Sequence, residues 1–446
     1  MSDLDTIFKA YDIRGIYPGD LDETAAERIG RTFVRFVDSD GIVVGRDMRV
    51  SSPALAAAFI RGATAAGAAV TDVGEVSTDA LYFASGRLDL PGAMFTASHN
   101  PGDYNGIKLC RAQAAPIGEE SGLLDIKQLA TKDEGVDGPT GAVVVRDILA
   151  DYSEHCLTFI EPSHLRPLKV AIDAGNGMAG KTVPLVFNDL PVEVVPLFFE
   201  LDGDFPNHPA NPIEPANLVD LQRAVVDHNC DVGIAFDGDA DRMFLVDEDQ
   251  ALVSGSLTTA LVAQRLLEKH PDETVIYNLI CSWTVPEVIK ENGGTPVRTR
   301  VGHSFIKEVM AETGAIFGGE HSGHYYFRDN FRADSGMIAA LIVLEAMSES
   351  EQQLSELIEP FRRYYDSGEI NSEVTDQDAT MGELAAIYAH ERQDREDGLT
   401  VESTDWWFNC RPSNTEPLLR LNLEARTPEL RDEKVAEVLS VIRGGT

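Results

Sequence analysis

A chain of 446 residues is too long for one core, and at roughly 150 residues per domain its length alone suggests about three domains. Hydrophobic residues make up 43% and charged residues 25%, an ordinary globular balance that needs no unusual stabiliser. The formal charge of −37 argues against nucleic acid and anionic membrane surfaces as partners. It leaves a small anionic substrate open, because a local cluster of cations reverses the field inside one cleft.

In chain order, the first segment, "MSDLDTIFKAYDIRG", lacks the basic and apolar pattern of a signal peptide. The stretch "GIVVGRD" (41–47) reads as a strand that leads into a helix at "SSPALAAAFIRGATAAGA" (51–68). Ser51 or Ser52 is expected to cap that helix, and Pro53 suits its first turn. "AVTDVGE" (69–75) and "GAMFTAS" (92–98) are further strands. "KVAIDAGNGMAG" (169–180) is a strand opening into a glycine-rich turn, and "CDVGIAFDGDADR" (230–242) and "TVIYNLICS" (274–282) repeat that plan. Strands alternating with helices imply mostly parallel sheets covered on both faces, with ligand groups at the C-terminal ends of strands. The last segment differs: "EINSEVT", "GLTVES", "WWFNCR" and "LLRLNLEA" alternate as strands before a helix at 428–443, an α+β unit. Breaks are expected near the polar stretches "KDEGVDGPTG", "DEDQALVSG" and "YYDSGEIN", dividing the chain into 1–141, 142–251, 252–366 and 367–446. The five cysteines form no C-x-x-C pair, which argues against disulfides or structural zinc. No apolar run is long enough to span a bilayer. The expectation is a cytoplasmic protein with reduced thiols, a monomer or homodimer, with no nucleic acid or membrane partner.

Four loops carry chemistry. In "TASHNP" (96–101), Ser98 sits at the mouth of a strand. The G-x-S-x-G elbow is absent, and His99, the next residue, is expected to point away because adjacent side chains on extended backbone diverge. An acyl-transfer triad is therefore disfavoured. In "DGDADR" (237–242), Asp237, Asp239 and Asp241 alternate directly after the apolar run "VGIAF". Three carboxylates this close repel one another, and a hard divalent cation such as magnesium relieves the repulsion. An EF-hand is rejected: Arg242 occupies the place that needs glycine, and "MFLVD" reads as a strand. A phosphate on Ser98 supplies the anionic partner that magnesium favours. In "FGGEHSGHYYF" (317–327), Glu320, Ser322 and His324 suit sugar hydroxyls, and a metal site of Glu320, His321 and His324 ranks below that reading. In "RPSNTEPLLRL" (411–421), Arg411, Ser413, Asn414 and Thr415, with Arg420, offer bidentate, charge-assisted bonds and an anion nest for phosphate.

Taken together and in this order, the loops resemble the α-D-phosphohexomutase family, which includes the bacterial phosphomannomutase/phosphoglucomutases; "FKAYDIRG" and "GRDMRVSSP" resemble it too. The resemblance implies three related α/β domains with mixed, largely parallel sheets plus a C-terminal α+β domain, arranged around a central cleft. It implies that Ser98 is a phosphoserine exchanging its phosphoryl group with a hexose phosphate through a hexose 1,6-bisphosphate, and that Ser98, Asp237, Asp239 and Asp241 hold Mg2+. Arg242 then stabilises the site, and Glu320, Ser322 and His324 hold the sugar. Arg411, Ser413, Asn414, Thr415 and Arg420 grip the non-reacting phosphate. Tyr11 and Arg14 match the family's N-terminal motif, Lys108 its "GIK" lysine, and His303, in "VGHSFIK", a sugar-loop histidine. The expected catalytic set is thus Ser98, His99, Lys108, Arg14, Arg242 and His303. Lys108 is expected to work as a base through a lowered pKa, with His303 and His324 behind it. Mannose 6-phosphate is favoured as substrate, glucose phosphate follows, and a glucosamine mutase or a magnesium-dependent sugar phosphatase ranks lower.

Overall fold

The computed structural model describes residues 4–133, 135, 140–412 and 418–444. Four sheets follow one another along it, one more unit than length alone suggests. The first contains β1 (Ile13–Ile16), β2 (Gly41–Arg46), β3 (Ala69–Glu75), β4 (Gly92–Phe95), β5 (Tyr104–Cys110) and β6 (Val143–Val145), in the order β1-β5-β4-β2-β3-β6. β2 runs parallel to β3 and β4, and β5 turns back antiparallel to β4. The middle of β2 and all of β4 are buried, as expected of near-continuous apolar strands covered by helices on both faces. The helix Ser52–Ala65 forms where expected, but no serine side chain caps it. The Ser52 hydroxyl donates to Asp47 instead, at 2.6 Å, and Ser51 accepts from the Asn105 amide at 2.7 Å.

The second sheet, in the order β11-β10-β9-β7-β8, contains β7 (Leu168–Asp173), β8 (Val192–Leu197), β9 (Val232–Phe236), β10 (Met243–Asp247) and β11 (Leu252–Val253). The third, in the order β13-β12-β14-β15, contains β12 (Thr274–Asn278), β13 (Thr295–Thr299), β14 (Phe317–Gly319) and β15 (Tyr325–Phe327). The fourth is antiparallel throughout, in the order β16-β20-β19-β18-β17, from β16 (Tyr365–Glu373), β17 (Arg392–Asp394), β18 (Leu399–Glu402), β19 (Trp406–Pro412) and β20 (Leu418–Ala425). With the helices Gln377–Ile387 and Pro428–Ile442, it is the α+β unit read from the sequence.

Pairing moves the expected breaks by a few residues. β6 hydrogen-bonds to β3 and β11 to β10, so breaks after 141 and 251 would cut each strand from its own sheet. β16 already begins at Tyr365, ahead of the break after 366. The reason is physical: a polar linker marks where the chain is exposed, whereas the last strand of a unit is defined by a partner far away in sequence.

The helix Gly336–Ser350 is apolar all round from Gly336 to Leu344 and buried from Gly336 to Ser348, as a helix without a polar face must be. Its residues share one core with strands of the first three sheets, including Val43, Ile172, Ile234 and Val275. The fourth unit has a core of its own around Leu384, Trp406, Phe408 and Leu421. All five cysteines are free and buried. No described helix is long and apolar enough to cross a membrane.

Candidate active site

Three loops from three sheets meet. The first follows β4. Ser98 takes a left-handed backbone conformation, with φ at 50°, uncommon for a residue with a side chain. Its amide donates to Thr96 Oγ1 at 2.9 Å, and the residue is 5% exposed. This backbone corrects the expectation for His99: Ser98 is not extended, so the two side chains meet, with Ser98 Oγ 3.2 Å from His99 Nδ1. Burial, aided by Arg242 and Arg14, pushes the His99 imidazole well below its ordinary pKa.

The second loop follows β9. Ser98 Oγ donates to Asp237 Oδ2 at 2.6 Å, across 139 positions of sequence. The two loops touch at backbone level, since a Cβ on Gly238 would lie 2.4 Å from the Ser98 carbonyl oxygen. Asp237, Asp239 and Asp241 are all buried, and one oxygen from each lies within 4.8 Å of the others. Arg242 donates to Asp237 through both its backbone amide, at 3.1 Å, and Nε, at 3.0 Å. These bonds set its positive charge directly against Asp237.

Lys108, on β5, donates to Asp239 at 2.7 Å and to Asp241 at 2.6 Å. Burial works to lower its pKa, but the two carboxylates outweigh burial and hold it well above the ordinary lysine range. The expected lowering is therefore corrected: Lys108 is a fixed cation between two aspartates. Burial acts to raise Asp239 as well, and the Lys108 charge and hydrogen bond outweigh it and hold it down. Burial and the Asp239 charge push Asp241 up. Two buried oxygens, Asp239 Oδ1 and Asp241 Oδ1, make no hydrogen bond. Desolvated carboxylate oxygens that accept no hydrogen bond are what a hard cation takes as ligands, so the cluster fits a divalent metal.

The third loop lies between β14 and β15 and is joined to the second by a bridge between Arg242 and His324 and by the Met243 amide donating to the Gly323 carbonyl at 3.1 Å. Glu320 is fixed from several sides. It accepts from Asn278 Nδ2 at 3.1 Å, the Gly302 amide at 3.2 Å and the Tyr326 hydroxyl at 2.7 Å. His324 stands 3.3 Å from Glu320 and 3.6 Å from Asp241, and contacts Ser322 Oγ at 3.0 Å. His321 Nδ1 contacts Ser256 Oγ at 3.0 Å, and Glu320, His321 and His324 do not bring three ligand atoms together among the described residues.

From the fourth unit, Arg411 and Arg420 sit opposite each other on β19 and β20 and share Glu369, at 3.1 and 3.6 Å. Tyr11 donates to the Val301 carbonyl at 3.0 Å. Burial raises the Tyr11 pKa, and the negative charges of Asp397 and Glu320 add to it. Arg14 hydrogen-bonds Asn100 and pairs with Asp12. Ser413, Asn414, Thr415 and the side chain of His303 lie outside the described residues.

Sequence reasoning missed three supporting groups. The Thr78 hydroxyl donates to Asp239 Oδ2 at 2.6 Å, and its amide donates to the Asp239 carbonyl at 3.0 Å. Nothing local marks Thr78, which opens a helix in the first unit. Asn278 and Tyr326 hold Glu320. A polar residue ending the apolar run of β12 was a readable signal for Asn278; Tyr326 reads only as an apolar strand residue.

Sequence models described as phosphoglucomutase/phosphomannomutase alpha/beta/alpha domains I, II and III match residues 5–135, 150–250 and 254–364, and the model of the C-terminal domain matches 369–440. A Xanthomonas campestris pv. campestris protein described as phosphohexose mutases is 42% identical over 443 residues, covering 98% of this chain and 99% of its own. A phosphomannomutase of Salmonella montevideo is 41% identical over 453 residues, with 98% and 99% covered. The crystal structure of a phosphoglucomutase/phosphomannomutase family protein from Burkholderia thailandensis superimposes with a TM-score of 0.90 at 32% identity, over 100% of this chain and 99% of that one. Four domain models in order, relatives matched end to end and a shared fold leave one conclusion: the chain belongs to the phosphoglucomutase/phosphomannomutase family.

Proposed function

We propose that the protein is a phosphohexomutase that interconverts hexose 6-phosphate and hexose 1-phosphate through a Ser98 phosphoester and a hexose 1,6-bisphosphate. The preferred sugar in this reading is mannose, supported by relatives named phosphomannomutase at about 41% identity over nearly their full length; glucose is the second. The observation that carries the proposal is the 2.6 Å contact between Ser98 Oγ and Asp237. It sets an acceptor hydroxyl on a buried carboxylate cluster flanked by Lys108 and Arg242. A hydroxyl there is of little use as an acyl nucleophile, but its phosphoester is well supported.

In the forward direction, Arg411, Arg420 and the 413–415 loop hold the 6-phosphate. Glu320, Ser322 and His324 orient the ring, so that the 1-hydroxyl faces the phosphorus on Ser98. The new O1–P bond forms as the Ser98 Oγ–P bond breaks, and the hydroxyl proton balances the freed serine oxygen. The bisphosphate then turns, its 6-phosphoryl group passes to Ser98, and hexose 1-phosphate leaves. Lys108 and Arg242 place fixed positive charge beside the transferring group, where positioning and electrostatics carry most of phosphoryl-transfer catalysis. Asp237, Asp239, Asp241 and Ser98 would hold magnesium, which would supply Lewis-acid charge stabilisation at that group. Burial of Ser98 and Glu320 keeps water from the phosphoester.

Intact-mass measurement on purified enzyme, with and without hexose 1,6-bisphosphate, tests this. Wild type gains one phosphate; Ser98→Ala gains none and loses mutase activity. Undiminished turnover by Ser98→Ala overturns the scheme. Initial rates with mannose, glucose and glucosamine 1-phosphates decide the sugar.

A further inference from the structure

Arg49 is fully buried, and its guanidinium is committed to one loop. Nη1 donates to the carbonyls of Pro101, at 2.6 Å, and Tyr104, at 3.0 Å. Nη2 donates to the carbonyls of Ser98, at 2.9 Å, and Asn100, at 2.6 Å. Nε faces Asp47 at 3.2 Å, and Asp47 is itself anchored by the Ser52 hydroxyl. A buried arginine is costly unless paired and hydrogen-bonded, and here its planar fork collects carbonyls from the single stretch 98–104. The second domain closes over it. The Phe205 ring lies 5.0 Å from the guanidinium carbon, and Gly203 comes so close that a Cβ there would lie 2.6 Å from Arg49 Cα. The loop it ties down holds Ser98 in a left-handed conformation, which persists only when its surroundings over-determine it.

We propose that Arg49 is a positioning residue for phosphoryl transfer: its rigid fork, pressed from the second domain by Phe205, fixes the 98–104 loop so that Ser98 Oγ faces Asp237. This rests on Ser98 being the phosphate carrier. Neither Arg49 nor Phe205 touches the reacting atoms; both act through the serine loop.

Arg49→Lys keeps the charge but replaces the fork with one nitrogen. The expected result is a loss of about a hundredfold in kcat, the scale set by displacing a reacting group by about 1 Å. Ser98 labelling by radiolabelled hexose 1,6-bisphosphate should slow equally. KM for the hexose phosphate should stay within a factor of about three, because the groups assigned to phosphate and sugar are elsewhere. Phe205→Leu keeps all of the arginine's hydrogen bonds and should lower kcat and labelling in the same direction by a smaller factor; it carries the test if Arg49→Lys does not fold. Either folded variant labelling and turning over like wild type overturns the proposal. A wild type that takes no label and turns over no hexose phosphate overturns the proposed function instead. Amide exchange over 98–104 then tests the clamp alone: faster exchange in Arg49→Lys supports it, and unchanged exchange refutes it.

Discussion

Asp79 is a buried carboxylate that no step of the chemistry uses, and it ties three segments of the fold together. It accepts from Ser77 beside it, from the Tyr152 hydroxyl at 2.6 Å and from the Ser335 hydroxyl at 2.6 Å. Burial dominates these hydrogen bonds and pushes its pKa from 3.8 up to about 6. At 1.36 kcal/mol per unit, the rise is worth about 3 kcal/mol. The folded protein thus binds more protons than the unfolded chain between the two pKa values, and stability falls as pH rises through that window. The contribution is intact below pH 3.8 and fully lost above pH 6 or so. Asp79→Asn keeps the shape and removes the titration. Relative to wild type, the variant should gain about 3 kcal/mol across the whole window, of which about 2 kcal/mol falls between pH 4.5 and 8. Urea unfolding at matched pH, read as variant minus wild type, isolates this group, because other titrations largely cancel in the difference. A difference that stays flat from pH 4.5 to 8 refutes the reasoning, whatever the absolute stability of the variant.

Gly238→Ala forces a methyl group to within 2.4 Å of the Ser98 carbonyl; it should lower kcat by at least about tenfold, and wild-type activity would show that the loops separate freely. Asp239→Asn weakens the cluster that Lys108 and Thr78 brace, so the magnesium concentration needed for half-maximal activity should rise by at least about tenfold; an unchanged magnesium requirement removes Asp239 from the metal set. Arg411→Ala removes charge-assisted bonds to the resting phosphate, so KM should rise about ten- to a hundredfold while Ser98 still takes up phosphate. Loss of phosphate uptake at saturating bisphosphate would place Arg411 at the serine instead.

Features that short-range order can encode are legible along the chain. Apolar runs between glycine-rich turns marked the strands. The alternation of Asp237, Asp239 and Asp241 directly after one such run marked the carboxylate cluster, because the whole set sits on a single loop. What those groups meet is set by the folded chain. The Ser98–Asp237 contact spans 139 positions, the hydroxyl of Thr78 reaches Asp239 from another domain, and Arg49 lies under Phe205; no local pattern contains these pairings. The state of Lys108 shows the limit most directly. Its pKa is set by a competition between desolvation and two carboxylates brought from a different sheet, and the sign of such a balance exists only once the chain has folded those charges around the amine. The edge strands β6 and β11 follow the same rule, since hydrogen bonding to a distant partner, rather than composition, decides which unit a strand completes.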